Sequence, residues 1–333
     1  MIILAIESSC DDTSAAVLRD NVILSNVLTS QDDIHSQFGG VVPELASRNH
    51  LQAINPVVTA ALQSAEIKLS DAELIAVTQG PGLMGSLLVG FSYARAMAEV
   101  SKIPLVGVDH MAGHILSAFL DDAPPTFPYI ALIVSGGTSS LFLAKSFTRF
   151  ELIGRTRDDA AGEAFDKVAK LLDLPYPGGP HVSKKAESGK GDAIRFPRAW
   201  LDSDSLDFSF SGLKTAVLNH VNKQKRQHEE IHLNDICASF QEAVVDVLTE
   251  KTVRAADMFG VTSIVVGGGV AANKRLREKL AGECTARSLS FHVPQPLYCT
   301  DNAAMIALAG RYKYLTDGPL PAGQDVYSRS ILG

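Results

Sequence analysis

The first thirty positions alternate between apolar and polar blocks in a way that predicts strand, turn, strand. Residues 2–6 are a continuous apolar run, residues 7–14 (ESSCDDTS) are polar, and residues 15–18 are apolar again. Residues 129–144 repeat the plan: an apolar run to Val134, then Ser135-Gly136-Gly137-Thr138-Ser139-Ser140, then Leu141-Phe142-Leu143-Ala144. Two such hairpins about 130 residues apart predict a duplicated α/β domain. A third buried strand, Ile264-Val265-Val266, runs into Gly267-Gly268-Gly269 and then a helix over residues 274–281. Glycines at such a turn let backbone N–H groups approach a phosphate at a helix N-terminus.

Helical periodicity fills the intervals. Residues 44–61 carry apolar positions at mixed helical spacing, with Pro56 expected to interrupt them. Residues 85–100 follow the Gly80-Pro81-Gly82 turn as a helix with apolar residues on more than one face (Leu87, Leu88, Phe91, Ala94, Met97). Such a helix is either fully buried or docked on something. Leu233–Phe259 contains a long amphipathic helix. Residues 175–192, rich in proline and glycine, read as a substrate loop or lid, and residues 221–230 as a polar connection.

Composition narrows the class. The 333 residues suggest two domains. The net charge of −7 means that a nucleic-acid partner would need a local basic patch. The candidate patches are Lys274, Arg275, Arg277 and Lys279; Lys184 and Lys185; and Lys223, Lys225 and Arg226. Four scattered cysteines without a C-x-x-C pair fit a reducing cytosol. The short apolar start runs into Glu7 and reads as a strand, not a signal peptide. No apolar run approaches the roughly 18 residues of a membrane span, so no membrane association is expected.

The most informative chemistry is His110-Met111-Ala112-Gly113-His114. Imidazoles at i and i+4 share one helix face and can bind one divalent metal. They can equally be two polar residues on that face. The metalloprotease pattern H-E-x-x-H has a glutamate general base beside the first histidine, and Met111 stands there instead. The turn of Ser135, Gly136 and Gly137 is either a tight hairpin or a phosphate cradle of bare amides. Asp11 and Asp12 are either turn formers or catalytic carboxylates facing the reacting carbonyl or a magnesium-bound phosphate. No Ser-His-Asp or Cys-His arrangement is apparent.

These blocks, together with V-P-E-L-A-S-R-N-H (42–50), G-P-G-L-M-G-S-L-L-V-G (80–90), A-G-E-A-F-D-K (161–167), Y-P-G-G-P (176–180), F-S-F-S-G-L-K-T (208–215) and T-D-N-A-A-M-I-A (300–307), resemble one family nearly end to end. It is the TsaD family of tRNA threonylcarbamoyladenosine synthesis, formerly called the O-sialoglycoprotein endopeptidase or glycoprotease family.

The resemblance implies an actin-like (ASKHA) α/β fold of two duplicated RNase H-like domains with an inter-domain cleft. The domains would be residues 1–115 plus about 303–333, and residues 116–302. It implies transfer of a threonylcarbamoyl group from threonylcarbamoyl-AMP to N6 of adenosine 37 in tRNAs reading ANN codons, with release of AMP, in the cytoplasm. It implies one divalent metal, iron(II) before zinc, with Asp301 joining His110 and His114; Asp301 could otherwise N-cap the helix that follows it. Ile133, Val134, Ser135, Gly136, Gly137, Asp166, Gly179 and Asn273 would bind the nucleotide substrate, though Asn273 could simply N-cap its own helix. A paralogous actin-like (TsaB-like) subunit, paired through the first domain, and a P-loop ATPase (TsaE-like) would be partners. Thr138, Asp12 and Ser183 depart from the usual His, Glu and Asp of the family. The rival readings are an actin-like kinase or ATPase, a metalloprotease, and a non-catalytic scaffold.

Overall fold

A computed structural model describes residues 1–200 and 204–332. The remainder of the expected domain ranges, residues 201–203 and 333, lies outside the described residues. The chain divides into two compact units. The first comprises Met1–Pro124, Ala144–Glu151 and the chain from Pro294 onward; the second comprises Pro125–Leu143 and Leu152–Val293.

In chain order the first unit opens with β1 (Ile2–Glu7), β2 (Thr13–Arg19), β3 (Val22–Thr29), α1 (Asp32–His35) and α2 (Pro43–Ser64). It continues with β4 (Leu74–Gly80), α3 (Met84–Ser101), β5 (Leu105–Asp109) and α4 (His110–Leu116). The middle of the chain carries β6 (Tyr129–Val134), β7 (Ser139–Ser146), β8 (Arg149–Arg155), α5 (Ala161–Leu171), α6 (Gly178–Ala186), α7 (Ser211–Gln227), α8 (Leu233–Phe259), β9 (Ser263–Gly267), α9 (Lys274–Ala286) and β10 (Ser290–His292). The last elements are α10 (Pro296–Cys299) and α11 (Ala303–Asp317).

The two sheets have the same topology. The first runs β3-β2-β1-β4-β5, and the second runs β10-β9-β6-β7-β8, which is the same order read from the other edge. β1 pairs antiparallel with β2 and parallel with β4. β6 likewise pairs parallel with β9. The duplication expected from the two hairpins is therefore present at the level of strand order. Residues of β1 and β4 are buried on both faces, as continuous apolar runs in parallel strands require. Leu4, Ile6, Ile75 and Val77 meet Ile54, Val57 and Val58 of α2 and Phe91 and Ala94 of α3. On the other face α11 lies against β1, β2, β4 and β5, and Gly310 allows the approach: a Cβ there would sit 2.6 Å from Ala76. Each such fully buried aliphatic side chain contributes roughly 1.5–3 kcal/mol.

Three local expectations are corrected. α2 runs straight through Pro56, because both Pro56 and Gln52, whose carbonyl loses its partner, face solvent. Residues 221–227 are helical, the last turns of α7, because Leu213, Val217 and Val221 form a buried stripe that continues the helix. The expected lid at 175–192 holds α6, whose Gly178 packs so closely on Phe165, Asp166 and Ala169 that no side chain fits. The four cysteines are free, and no described helix is long and apolar enough to cross a membrane.

Candidate functional site

In the first unit, β5 runs directly into α4, and Asp109 caps the junction: its Oδ1 accepts from the Met111 amide at 2.9 Å. Its Oδ2 accepts from the Tyr327 hydroxyl (3.2 Å), the Ser330 hydroxyl (2.9 Å) and the Ile331 amide (3.2 Å). The C-terminal segment thus fixes the start of α4. The next residue is His110, and His114 stands one turn on, with the two rings edge to face at 4.7 Å.

Both histidines aim Nε2 at one atom. His114 Nε2 lies 3.1 Å from Asp301 Oδ1, and His110 Nε2 lies 3.4 Å from it. Ligand atoms of the three residues all fall within 4.8 Å of one another, and the group can hold a metal ion. Two imidazoles and a carboxylate, each about 2.0–2.2 Å from a shared divalent ion, would be spaced by about 3.3 Å, so the donor set fits. Asp301 is free for this because Asn302, not Asp301, caps α11: the Asn302 Oδ1 accepts from the Met305 amide.

Behind the histidines stands Glu7, fully buried at the end of β1. Its Oε2 accepts from His110 Nδ1 at 2.9 Å and from the Thr78 hydroxyl, and its Oε1 accepts from the Ser9 amide. A carboxylate behind a ligating imidazole fixes the tautomer and the ring plane. Burial pushes Glu7 up, but His110 outweighs it and the carboxyl is held below its ordinary range. Burial likewise opposes the charges of Asp301 and His110, yet their mutual attraction prevails: Asp301 is held low and His110 well above the usual imidazole range. Without a metal, His110 holds a proton between the two carboxylates; a divalent ion binding here would displace it.

The loop between β1 and β2 carries Asp11 and Asp12. His50 of α2 clamps it: its Nε2 donates to the Cys10 carbonyl (2.9 Å), and its Nδ1 accepts from the Thr13 hydroxyl (2.7 Å). Burial pushes the Asp12 carboxyl up to about 7, with Asp301 and Asp11 adding to the shift, and its Oδ1 has no hydrogen-bond partner. Sequence reasoning assigned no role to Glu7, His50 or Asp109. For Glu7 and Asp109 the available signal was position, since each ends a strand and Asp109 adjoins His110; His50 lies within α2 and carried no such signal.

In the second unit, the side chains of Ile133 and Val134 are fully buried, so only their backbone could touch a ligand. Ser135 closes the turn by donating its amide to the Thr138 carbonyl (2.8 Å). Gly136 and Gly137 are exposed, with open space where a Cβ would stand. Gly268, at φ +86°, presses on the Val134 carbonyl, so the turns after β6 and β9 lie side by side at the carboxyl ends of paired strands. Ligands of open α/β sheets sit at that end.

The Asp166 carboxylate accepts from the Gly178 amide at 2.7 Å, tying α5 to the start of α6, and burial raises its pKa. Gly179 has open space around it and shares a face of α6 with Ser183 one turn on. Asn273 caps α9 through the Leu276 amide, while its Nδ2 donates to Ser183 Oγ (2.9 Å) and Gln241 Oε1 (2.8 Å). Asp166, Gly179 and Asn273 are thus gathered around α6, and Gly162 brings the start of α5 against the Ser135 carbonyl (3.2 Å).

Comparison with known proteins adds the following. A family model described as TsaD, tRNA N6-adenosine threonylcarbamoyltransferase, matches residues 22–308. The tRNA N6-adenosine threonylcarbamoyltransferase of Desulfotalea psychrophila is 62% identical over 337 residues, covering 100% of this chain and 98% of that protein. The enzyme of the same name from Geotalea uraniireducens is 52% identical, covering 98% and 94%. Among solved structures, full-length HypF in its phosphate- and nucleotide-bound form is similar, with a TM-score of 0.65 at 11% identity over 96% of this chain and 56% of that chain. Component A of the Acidaminococcus fermentans (R)-2-hydroxyglutaryl-CoA dehydratase gives 0.54 at 16% identity, over 95% and 100%. At such identities the likeness is one of fold, and that fold is the actin-like α/β architecture expected from the sequence.

Proposed function

The chain belongs to the TsaD family of tRNA N6-adenosine threonylcarbamoyltransferases, and from that premise we propose how it works as an acyltransferase. It transfers a threonylcarbamoyl group from threonylcarbamoyl-AMP to N6 of adenosine 37 in tRNAs that read ANN codons. The C–N bond forms at N6, the mixed-anhydride C–O bond breaks, AMP leaves, and one proton departs from the amine.

The observation that carries this reading is the convergence of His110 and His114 Nε2 on Asp301 Oδ1, with Glu7 behind. His110, His114 and Asp301 hold one divalent metal, iron(II) before zinc, which supplies Lewis acidity toward the carbamoyl carbonyl when bound. Protease chemistry is disfavoured because Met111 occupies the position of the general base. Ser135, whose amide closes the turn onto Thr138, positions the amides of Gly136 and Gly137 to hold the phosphate that leaves with AMP, and Asp166, Gly179 and Asn273 line the nucleotide's site. Asp11 and Asp12 face the reacting centre. Asp12, with its raised pKa and unpartnered oxygen, takes the proton from the attacking amine. Because the electrophile is already activated, positioning and charge stabilisation do most of the catalysis.

The cytoplasmic enzyme acts with a paralogous actin-like subunit and a small P-loop ATPase. The paralogue docks on α3, where Met84 and Leu88 remain exposed while Leu87 and Phe91 are buried. The test is reconstitution of the chain with these partners, threonylcarbamoyl-AMP and ATP on unmodified tRNA, followed by nucleoside mass spectrometry. Threonylcarbamoyladenosine in the digest supports the reading; its absence from a metal-loaded, tRNA-binding complex refutes it.

A further inference from the structure

The structure separates one of the three basic clusters from the other two: Lys184 and Lys185 of α6, like the cations of α7, have no acidic partner within 4 Å among the described residues. Three of the four cations of α9 are paired with acids within the fold. Arg275 makes a bidentate pair with Glu242, Lys279 pairs with Glu242 and Asp246, and Lys274 lies 3.8 Å from Glu278. Arg277 is turned onto the Ala271 carbonyl.

α7 is different. Its 17 residues carry Lys214, Lys223, Lys225 and Arg226 and no Asp or Glu, in a chain whose acids outnumber its Lys and Arg by 37 to 30. Among the described residues none of the four has an acidic partner within 4 Å. The nearest acids in sequence, Glu229 and Glu230, follow the left-handed cap at His228, and the Glu229 amide bonds back to the Gln224 carbonyl. Leu213, Val217 and Val221 anchor the helix on one stripe. By the helical repeat, Lys223 and Arg226 point away from this stripe together with Ser211, Thr215 and Asn219, while Lys225 and the half-buried Lys214 flank the stripe beside the exposed Leu218. Lys225 and Arg226 gain from the helix dipole in the last turn, but Lys214, in the second turn, does not. Helix stability therefore does not explain the pattern. The cations span 12 residues, about 18 Å, which matches roughly five phosphates of a nucleic-acid strand at about 3.4 Å each.

We propose that the exposed face of α7 is the surface that grips the phosphate backbone of the RNA substrate. The proposal rests on the tRNA-acyltransferase reading above and specifies where in the chain the polyanion docks. A protein of net charge −7 repels RNA on average, so a local surface with unpaired cations is what association requires. These contacts position the substrate without reading its sequence.

The experiment measures the Kd of the partner-assembled enzyme for unmodified tRNA between 50 and 200 mM KCl. It compares the wild type with K214Q/K223Q/K225Q/R226Q, with K223Q/K225Q, and with K102Q as a control in the first unit. Four phosphate contacts at roughly 0.7–0.9 each in the salt slope predict that the slope of log affinity against log salt falls by about three. The double variant should lose about half of that. Affinity at 100 mM KCl should fall at least tenfold in the quadruple variant, with KM for tRNA rising and kcat at saturating tRNA unchanged. Unaltered Kd and slope in variants that keep the wild-type melting point overturn the assignment of α7 alone. If the quadruple variant does not fold, the double variant decides on the same criteria. A wild type that fails to bind tRNA overturns this proposal and the tRNA reading together. A wild type that binds through α7 but forms no threonylcarbamoyladenosine refutes only the latter.

Discussion

The His110, His114 and Asp301 cluster of the first unit, which can hold a metal ion, and the glycine turns of the second are built in opposite ways. His110, His114 and Asp301 are surrounded by groups that fix them: Glu7 behind His110, Thr78 and Ser9 behind Glu7, and Asp109 with Tyr327 and Ser330 at the head of α4. Gly136, Gly137 and Gly179 are surrounded by nothing within 4 Å of a would-be Cβ. A metal takes its ligands from side chains, whose rotamers must be locked in advance or the binding energy is lost in ordering them. A phosphate can be held by backbone amides, which strand and turn already fix, so that the requirement there is absence of side chains. Substitutions should therefore act through geometry in the first region and through obstruction in the second.

The largest expected effect is at the ligands. His110→Ala with His114→Ala should reduce bound metal from about one per chain to near zero by elemental analysis, with loss of transfer activity. Full metal retention would place the ion elsewhere. One layer out, Glu7→Gln keeps the shape but loses the charge behind His110, and metal affinity measured by chelator competition should fall by about 10–100-fold. An unchanged affinity would mean that the ligand geometry needs no such support.

In the second region, Asp166→Ala and Asn273→Ala should each weaken binding of a non-hydrolysable threonylcarbamoyl-AMP analogue by on the order of 1.5–3 kcal/mol. Asn273→Ala should also cost about 1 kcal/mol of stability through the lost cap of α9, so calorimetry and melting must be read together. If analogue binding survives both changes, the nucleotide sits elsewhere.

Asp12 tests the loop between the two roles of structure and chemistry. Its folded pKa is raised to about 7 from an ordinary value near 3.8, so its charged form opposes folding. Both states are protonated below about pH 4, and the penalty grows as pH rises toward 7 and is then complete. Asp12→Asn should accordingly raise the melting temperature at pH 8, leave it unchanged at pH 4, and abolish the rise in rate between pH 6 and 8. A flat wild-type rate profile would remove Asp12 as the proton acceptor. The smallest effect is expected for Gly137→Ala: stability within about 0.5 kcal/mol, since space is open, yet weaker binding of the analogue. Equal binding would show that the turn does not touch the phosphate.

Much of this was legible in the chain. The apolar runs of β1, β6 and β9 could be read directly, because buried parallel strands need uninterrupted apolar sequence. The i, i+4 spacing of His110 and His114 fixed their common face for the same kind of reason. Pro56, by contrast, looked like a helix breaker, and only the exposure of Gln52 shows why it is not one. The stretch at 221–227 looked like a connection because its lysines mask a stripe of three residues whose burial depends on what packs beneath.

By itself, then, the sequence determined the strands, the duplicated plan, the histidine pair and the glycine turns, all properties of local period and composition. The tertiary structure decided which distant residues complete each site. It brought Asp301 from 187 positions away to His114 and handed the helix cap to Asn302. It set Glu7 against His110, 103 positions away. It also paired three cations of α9 with acids, while among the described residues those of α7 have no acidic partner. Charge pairing and ligand convergence depend on distances of a few ångströms between segments far apart in the chain, and no periodicity encodes those distances.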